Sequence, residues 1–129
     1  MNKFSRTGVS IIALGLASAA YAQATPGNTS TVEQLGARET AKVTQSGDGA
    51  NTSWVDQDGE DNTATVTQTS TAGQANSSII LQTRSADFTN STVNQTGEGN
   101  RSDITQGGDR AAVTVRQNGT DNTSDVDQD

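Results

Sequence analysis

A seven-residue phrase recurs along the chain and sorts into two alternating columns. Its strict form, Asn-x-Ser-x-Val/Ile-x-Gln, occurs in five copies spaced 22–25 residues apart. The strict copies end at Gln34, Gln57, Gln82, Gln106 and Gln128. Four looser copies lie between them and end at Gln45, Gln68, Gln95 and Gln117. A repeat of this length indicates a stacked structure in which each unit contacts only its neighbours.

Each copy alternates with the period of a β-strand. In the copy at residues 51–57, the four repeated residues share one face, while Thr52, Trp54 and Asp56 share the other. The same division holds in all five strict copies. We therefore expect the repeated face to lie inside the protein and the variable face to meet solvent.

The two columns predict an all-β fold, a β-solenoid of stacked two-strand rungs whose two parallel sheets lie face to face. The strict copies, 28–34, 51–57, 76–82, 100–106 and 122–128, would form one sheet. The looser copies, 39–45, 62–68, 89–95 and 111–117, would form the other. A hairpin meander also alternates strands and turns, but it does not explain why alternate copies resemble each other most.

Glycine stands two residues after several of the glutamines, at Gly47, Gly59, Gly97 and Gly119. Because glycine tolerates the positive φ angles of a tight reversal, this spacing predicts that the chain turns at these glycines.

Stacking would place each Asn and Gln over the same residue type one rung away. A buried amide is costly unless it is hydrogen-bonded, so these residues are expected to form ladders along the stack. The two end rungs would present unpaired backbone and half-filled ladders, which are a template for another chain. A head-to-tail contact of this kind does not close, so it produces a filament.

The first 22 residues have the features of a secretory signal peptide. Lys3 and Arg6 form a basic start, an uncharged apolar run follows, and Ala20-Tyr21-Ala22 fits the small-x-small cleavage rule. The alternative is a membrane anchor, for which the apolar run is too short. We expect residues 1–22 to be the signal peptide, 23–27 a short N-terminal segment, and 28–129 the repeat domain of about four and a half repeats.

Composition narrows the function further. Removal of residues 1–22 leaves six basic and fifteen acidic residues, a net charge of −9, which disfavours nucleic acid as a partner. The chain has no cysteine and no histidine, so the usual nucleophile–base pairs are missing and no catalytic residue is predicted. Low hydrophobicity with high charge leaves disorder or a ladder-stabilised fold, and the regular phrase favours the ladders.

Two features could mark a binding site. Asp56, Asp58, Glu60 and Asp61 cluster at one corner, but they lack the spacing of known calcium loops, so we predict a solvated corner with no metal and no cofactor. Trp54 is expected to face outward, as a carbohydrate contact or simply as an exposed aromatic side chain.

The phrase resembles the curlin repeat of curli subunits, which form extracellular amyloid fibres of Gram-negative bacteria. The curlin pattern joins a strand ending in Gln, a glycine-rich turn and Asn-x-Ala-x-Val-x-Gln. The stretch from Gln95 through Gly97, Gly99 and Asn100 to Gln106 reproduces it, with Ser102 in place of Ala. The resemblance covers residues 28–129. It differs before residue 28, where the glycine-rich targeting segment of the major curlin subunit has no counterpart.

The resemblance implies a secreted subunit that polymerises into a cross-β fibre for adhesion and biofilm matrix. It implies self-association head to tail, a second curlin subunit as nucleator or major partner, and an outer-membrane curli secretion pore with accessory factors. It also implies that internal amides drive polymerisation. By position these are Asn28, Gln34, Gln45, Asn51, Gln57, Asn62, Gln68, Asn76, Gln82, Gln95, Asn100, Gln106, Gln117, Asn122 and Gln128.

Two other functions stay open at this point. One is a soluble, monomeric β-solenoid binding module of adhesin or ice-binding type, and the other is a disordered acidic matrix protein. The proposed register makes a further prediction, because it stacks Glu33 beside Asp56 and Asp103 beside Asp125. Like charges on neighbouring strands repel, so assembly should be faster at mildly acidic pH or at high salt.

Overall fold

The structure is a computed structural model that describes residues 8–16, 19–24, 27–71, 73–83 and 86–129, with side chains from residue 27 onward. All its regular elements are strands. They are β1 (Gly8–Leu16), β2 (Ala19–Ala24), β3 (Thr29–Ala37), β4 (Thr40–Gly47), β5 (Thr52–Glu60), β6 (Thr63–Ser70), β7 (Ser77–Gln82), β8 (Asn90–Glu98), β9 (Arg101–Gln106), β10 (Ala112–Thr120) and β11 (Thr123–Gln128). No helix long and apolar enough to cross a membrane occurs among the described residues.

The predicted solenoid is confirmed. The odd-numbered strands form one sheet in the order β1-β3-β5-β7-β9-β11, here called the odd sheet. The even-numbered strands form a second sheet in the order β10-β8-β6-β4-β2, the even sheet. Every pairing within a sheet is parallel and in register, as where Gln34 lies beside Gln57 and Gln45 lies beside Gln68.

The core is a thin column of aliphatic side chains between the two sheets. Val32, Val55, Ile80 and Ile104 stack on the odd sheet and are fully buried, and a matching column of valines stacks on the even sheet. The alternation of buried and exposed residues along each strand follows the period of two. A core this narrow cannot stabilise a fold alone, so the polar residues beside it must contribute.

The glycines after Gln have the positive φ that was predicted, between +96° and +143°, but the chain does not leave the sheet at these residues. Gly47, Gly59, Gly97 and Gly119 lie inside the ends of β4, β5, β8 and β10, which continue past the Gln. Their role is close approach, because a Cβ atom on Gly97 would lie 2.0 Å from the carbonyl oxygen of Gly119. At five corners a non-glycine residue adopts φ near +60°: Arg38, Asp61, Phe88, Arg110 and Asp121. At the corner between β8 and β9 this conformation is taken by Gly99, with φ of +64°.

Strands β1 and β2 add a rung at the N-terminal end of the stack. β1 pairs with β3, and β2 pairs with β4. Residues 1–7, 17 and 18 of the predicted signal peptide lie outside the described residues. Cleavage after Ala22 stays a prediction, and it would remove β1 and most of β2.

Candidate assembly site

The glutamines form a continuous hydrogen-bonded ladder along each sheet. On the odd sheet, each Nε2 donates to the Oε1 of the next Gln, at 2.8 Å for Gln34 to Gln57 and for Gln57 to Gln82. The ladder continues to Gln106 at 3.1 Å and to Gln128 at 3.4 Å. On the even sheet the corresponding distances are 2.8, 2.8 and 2.7 Å.

The same amides also bind across the core. Gln45 Nε2 donates to the carbonyl oxygen of Thr29 at 3.1 Å, and Gln57 Nε2 donates to that of Thr40 at 3.1 Å. Each of these bonds joins the end of a strand in one sheet to the beginning of the preceding strand, which lies in the other sheet. The strands of the odd and even sheets therefore run in opposite directions. Because a carbonyl oxygen can only accept, the bond also fixes which amide atom is the nitrogen.

The asparagines form a different kind of ladder at the corners. The side-chain oxygen of one Asn accepts from the backbone N–H of the Asn on the next rung, at 2.8 Å from Asn51 to Asn28 and 2.9 Å from Asn76 to Asn51. Their Nδ2 groups donate to carbonyls near the ends of even-sheet strands, as Asn100 does to Gly119 of β10 at 3.0 Å. These bonds hold the corner backbone, which has left the sheet.

The structure places the predicted amides in lines along the stack, and burial changes only at its C-terminal end. From Asn28 to Gln106 each of them is at most 1 % exposed. Gln117 rises to 7 %, Asn122 is exposed and Gln128 is half-buried. None of the described residues stacks on these last three, so this end is open.

The glutamine ladders are polar, with each rung donating toward the C-terminal end. At the N-terminal end, the buried Oε1 atoms of Gln34 and Gln45 have no hydrogen-bond partner among the described residues. The residues paired with them in register are Ala13 and Ala24, a residue type with no side-chain donor. At the C-terminal end, no later rung of the described chain offers a ladder acceptor to Gln117 or Gln128. One end therefore lacks ladder donors and the other lacks ladder acceptors.

The C-terminal end has the shape of a step. β11 extends one strand beyond β10, and the step encloses a groove of about 450 Å³. The groove is lined on one side by Val115, Arg116 and Gln117 and on the other by Ser124 and Val126. Its floor and wall carry the same apolar and amide residues that fill the stack.

A buried carboxyl group interrupts the even-sheet corner ladder. Glu39 occupies the position of Asn62 one rung later and is fully buried. Burial raises the pKa of Glu39 to about 7, with Asp58 and Asp56 acting in the same direction and a 3.5 Å hydrogen bond from Asn62 opposing them. Burial, then Glu33 and Asp58, also raise the pKa of Asp56 on the outer face.

Some supporting residues were not anticipated from the sequence. Ser70 is buried at a corner, where its Oγ accepts from Gly49 N–H at 2.8 Å and from Asn51 Nδ2 at 3.3 Å. The only signal for it was its place opposite Gly47, one rung away. Thr89 replaces Asn at its corner and accepts from Gln82 Nε2 at 2.7 Å.

The acidic corner is partly neutralised within the chain. Arg38 donates to Asp61 at 2.7 and 2.8 Å and to Glu60 at 2.8 Å. The hydrogen bonds from Arg38 hold the pKa of Asp61 below its ordinary value. Among the described residues, no group of three or more acidic side chains is arranged to hold a metal ion.

Trp54 faces outward as predicted and is 50 % exposed. It lies on the odd sheet beside Ile79 and, with Asp56 and Leu81, lines a shallow cavity of about 170 Å³.

The comparison with family models matches residues 38–69 to the curlin associated repeat. This segment contains β4, β5 and most of β6, so it includes strands of both sheets. The match confirms the resemblance carried by the seven-residue phrase. No curated protein and no solved structure matches the chain.

Proposed function

We propose, from the curlin associated repeat that the chain contains, that it is a secreted structural subunit of extracellular curli-type amyloid fibres. Its role would be to assemble end to end on the cell surface, where the fibre supports adhesion and biofilm matrix. The export pore, its accessory factors and a second curlin subunit belong to this proposal as partners. The role is mechanical, and no step of it requires an enzyme activity.

One observation carries the proposal: the two ends of the stack are chemically complementary. Among the described residues, the N-terminal end holds glutamine oxygens that no side chain donates to, and the C-terminal end holds glutamine amides without ladder acceptors. A polar group that becomes buried without a partner costs roughly 1–3 kcal/mol, so two ends that join need ladder bonds across the joint, and here each end supplies the groups that the other lacks. The joint also pairs strand edges that are open in the single chain.

The test compares the inner and outer faces of the strands. Residues 23–129 are diluted from denaturant, and assembly is followed by thioflavin T fluorescence. Gln57→Ala with Gln106→Ala should slow fibre formation strongly, because both changes break ladder bonds. The matched control, Thr52→Ala with Arg101→Ala, changes two exposed positions on the same strands and should have a smaller effect. The opposite order would contradict the proposal.

A monomeric binding module is the second candidate, and the outward Trp54 with its apolar neighbours is the observation in its favour. The same experiment separates the two. A binding module stays soluble at all concentrations and keeps the circular dichroism of β-strands, whereas a fibre subunit loses soluble protein after a lag.

A further inference from the structure

The repeat strands of the described residues are odd in number, and this constrains how two such stacks can join. From Thr29 onward there are five strands on the odd sheet and four on the even sheet. Within the described residues the stack therefore ends half a rung after its last complete one, with β11 standing beyond β10. Any end-to-end joint must fill the groove that this step leaves.

A second copy stacked in the same orientation does not fill it. If β3 of that copy paired with β11, its β4 would lie two strand spacings from β10, about 9.6 Å away, and one strand position would stay empty. The same register would place Asp127 beside Glu33 of the second copy, two like charges on neighbouring strands.

A half-turn about the stack axis removes the gap. Because the two sheets run in opposite directions, this rotation makes the odd strands of the second copy parallel to the even strands of the first. β3 of the second copy then takes the position of a tenth strand, in the groove beside β10, and its β4 covers β11. Both sheets continue without an empty position.

We infer that successive copies join head to tail with a half-turn rotation, so that the odd sheet of one copy continues the even sheet of its neighbour. This inference rests on the proposed function, and it specifies the joint that the fibre would contain.

The inner residues of the two ends fit this arrangement. Keeping the Gln-to-Gln register of the rest of the stack, Gln117 lies over Gln34 of the second copy, and Gln128 lies over Gln45. Each pair joins an amide without a ladder acceptor to a glutamine oxygen without a donor among the described residues, so the joint would bury the two as a bonded pair.

The outer residues fit as well. Arg116 stands one residue before Gln117, as Glu33 does before Gln34, so the two would be neighbours across the joint. Asp125 stands three residues before Gln128, as Lys42 does before Gln45. Arg116, Lys42 and Asp125 are exposed in the single chain. The rotated joint thus makes two pairs of opposite charge, whereas the unrotated joint makes a repulsive one.

Strands β1 and β2 occupy the edges of β3 and β4 that the joint requires. The joint therefore forms only when residues 8–24 are removed or displaced. The predicted signal peptide, residues 1–22, accounts for nearly all of this segment, so its cleavage would open the N-terminal end.

Disulfide crosslinking tests the joint directly, since the natural chain has no cysteine. Neighbouring residues on adjacent parallel strands have Cα atoms about 4.8 Å apart, within the range for a disulfide. Residues 23–129 carrying Arg116→Cys and Glu33→Cys should give covalent multimers when their fibres are oxidised and then dissolved without reductant. In one copy these two positions lie on opposite outer faces, so an intramolecular bond cannot form.

The matched control carries Asp127→Cys and Glu33→Cys, which only the unrotated joint brings together. Multimers from Arg116→Cys with Glu33→Cys, and none from the control, support the inference. The reverse pattern overturns it, and so do fibres that crosslink in neither variant, although these leave the proposed function standing. Failure of the natural sequence to form fibres overturns the proposed function itself.

Charge reversal gives a second readout without cysteine. Arg116→Glu alone places like charges at the joint and should slow assembly. Glu33→Arg alone does the same, but it also replaces the repulsion between Glu33 and Asp56 in each copy by an attraction, so its slowing should be smaller. The double variant restores an opposite pair and should recover the natural rate. Because these residues lie on opposite faces of one copy, recovery can arise only between copies, and a double variant slower than both singles would overturn the inference.

Discussion

The glutamine side chain organises this fold at the scale of single residues. Its length lets one Nε2 donate along the stack and across the core at once, as Gln57 does to Gln82 and to the carbonyl oxygen of Thr40. Asparagine is shorter and binds corner backbone instead. The two amides therefore occupy different places in every rung, and neither can replace the other without losing a bond.

The buried serines of the odd sheet are the least satisfied residues of the stack. The Oγ atoms of Ser30, Ser53, Ser78 and Ser102 are buried without a hydrogen-bond partner among the described residues. Their small size fits between the sheets, but their hydroxyl groups lose hydration without compensation.

We expect Ser53→Ala with Ser78→Ala to stabilise the stack by about 1 kcal/mol per site, because alanine has nearly the same size and no buried polar atom. The guanidinium chloride concentration that dissolves half of the fibres measures the change. Thr52→Ala with Ser77→Ala, at neighbouring outward positions, is the control. A lower midpoint for the inner pair would mean that these hydroxyl groups find partners in the fibre.

At the scale of the strand, the sequence predicted faces and pairing but not corners. Alternation identified the inner residues, and the resemblance between alternate copies identified which strands pair. The corners without glycine could not be predicted, because φ near +60° occurs there at residues as different as Arg38 and Phe88 and so has no composition signal. The bonds across the core were also missed, since they depend on the distance between sheets.

Gly97 tests the close approach of strand ends. It has φ of +112°, and a Cβ there would lie 2.0 Å from the carbonyl oxygen of Gly119. Gly97→Ala should therefore weaken or prevent assembly in the thioflavin T assay. Gly73→Ala is the matched control, because Gly73 also has positive φ, +71°, but a Cβ there would meet none of the described atoms within 4 Å. Equal effects of the two variants would assign the loss to backbone angle and not to contact.

Glu39 makes the corner before strand β4 sensitive to pH. Its pKa is raised in the folded chain to about 7, so the stack binds a proton that the unfolded chain releases above its ordinary pKa of about 4.3. This proton uptake by Glu39 stabilises the folded stack fully below the ordinary pKa of glutamate, and the stabilisation is lost as pH rises through about 7. The raised pKa of Asp56 acts in the same direction.

Assembly and fibre stability should therefore be greater at pH 5 than at pH 8. Glu39→Gln keeps the size and removes the charge, so it should raise the dissolution midpoint at pH 8. It should also reduce the difference in fibre stability between pH 5 and pH 8, by about 1–3 kcal/mol per copy. Glu98→Gln, at a half-exposed carboxyl group, is the control. A Glu39→Gln variant with the full natural pH dependence would exclude Glu39 as its source.

At the scale of the whole molecule, the fold is open along one direction. Each rung is stabilised by the rungs before and after it, so the last strand presents an edge on which a further strand can pair. Its net charge opposes contact between copies at low salt. Growth from the ends is then the event on which the proposed function depends.

X-ray diffraction from aligned fibres of residues 23–129 is the decisive measurement of growth from the ends. We expect a meridional reflection at 4.8 Å, to within about 0.2 Å, from the rung spacing. We also expect an equatorial reflection at 10 Å, to within about 1 Å, from the distance between sheets. Because each copy adds about four and a half rungs, one copy should lengthen a single stack by about 22 Å. A chain that remains monomeric, or fibres without the meridional reflection near 4.8 Å, would contradict the claim that the stack grows from its ends.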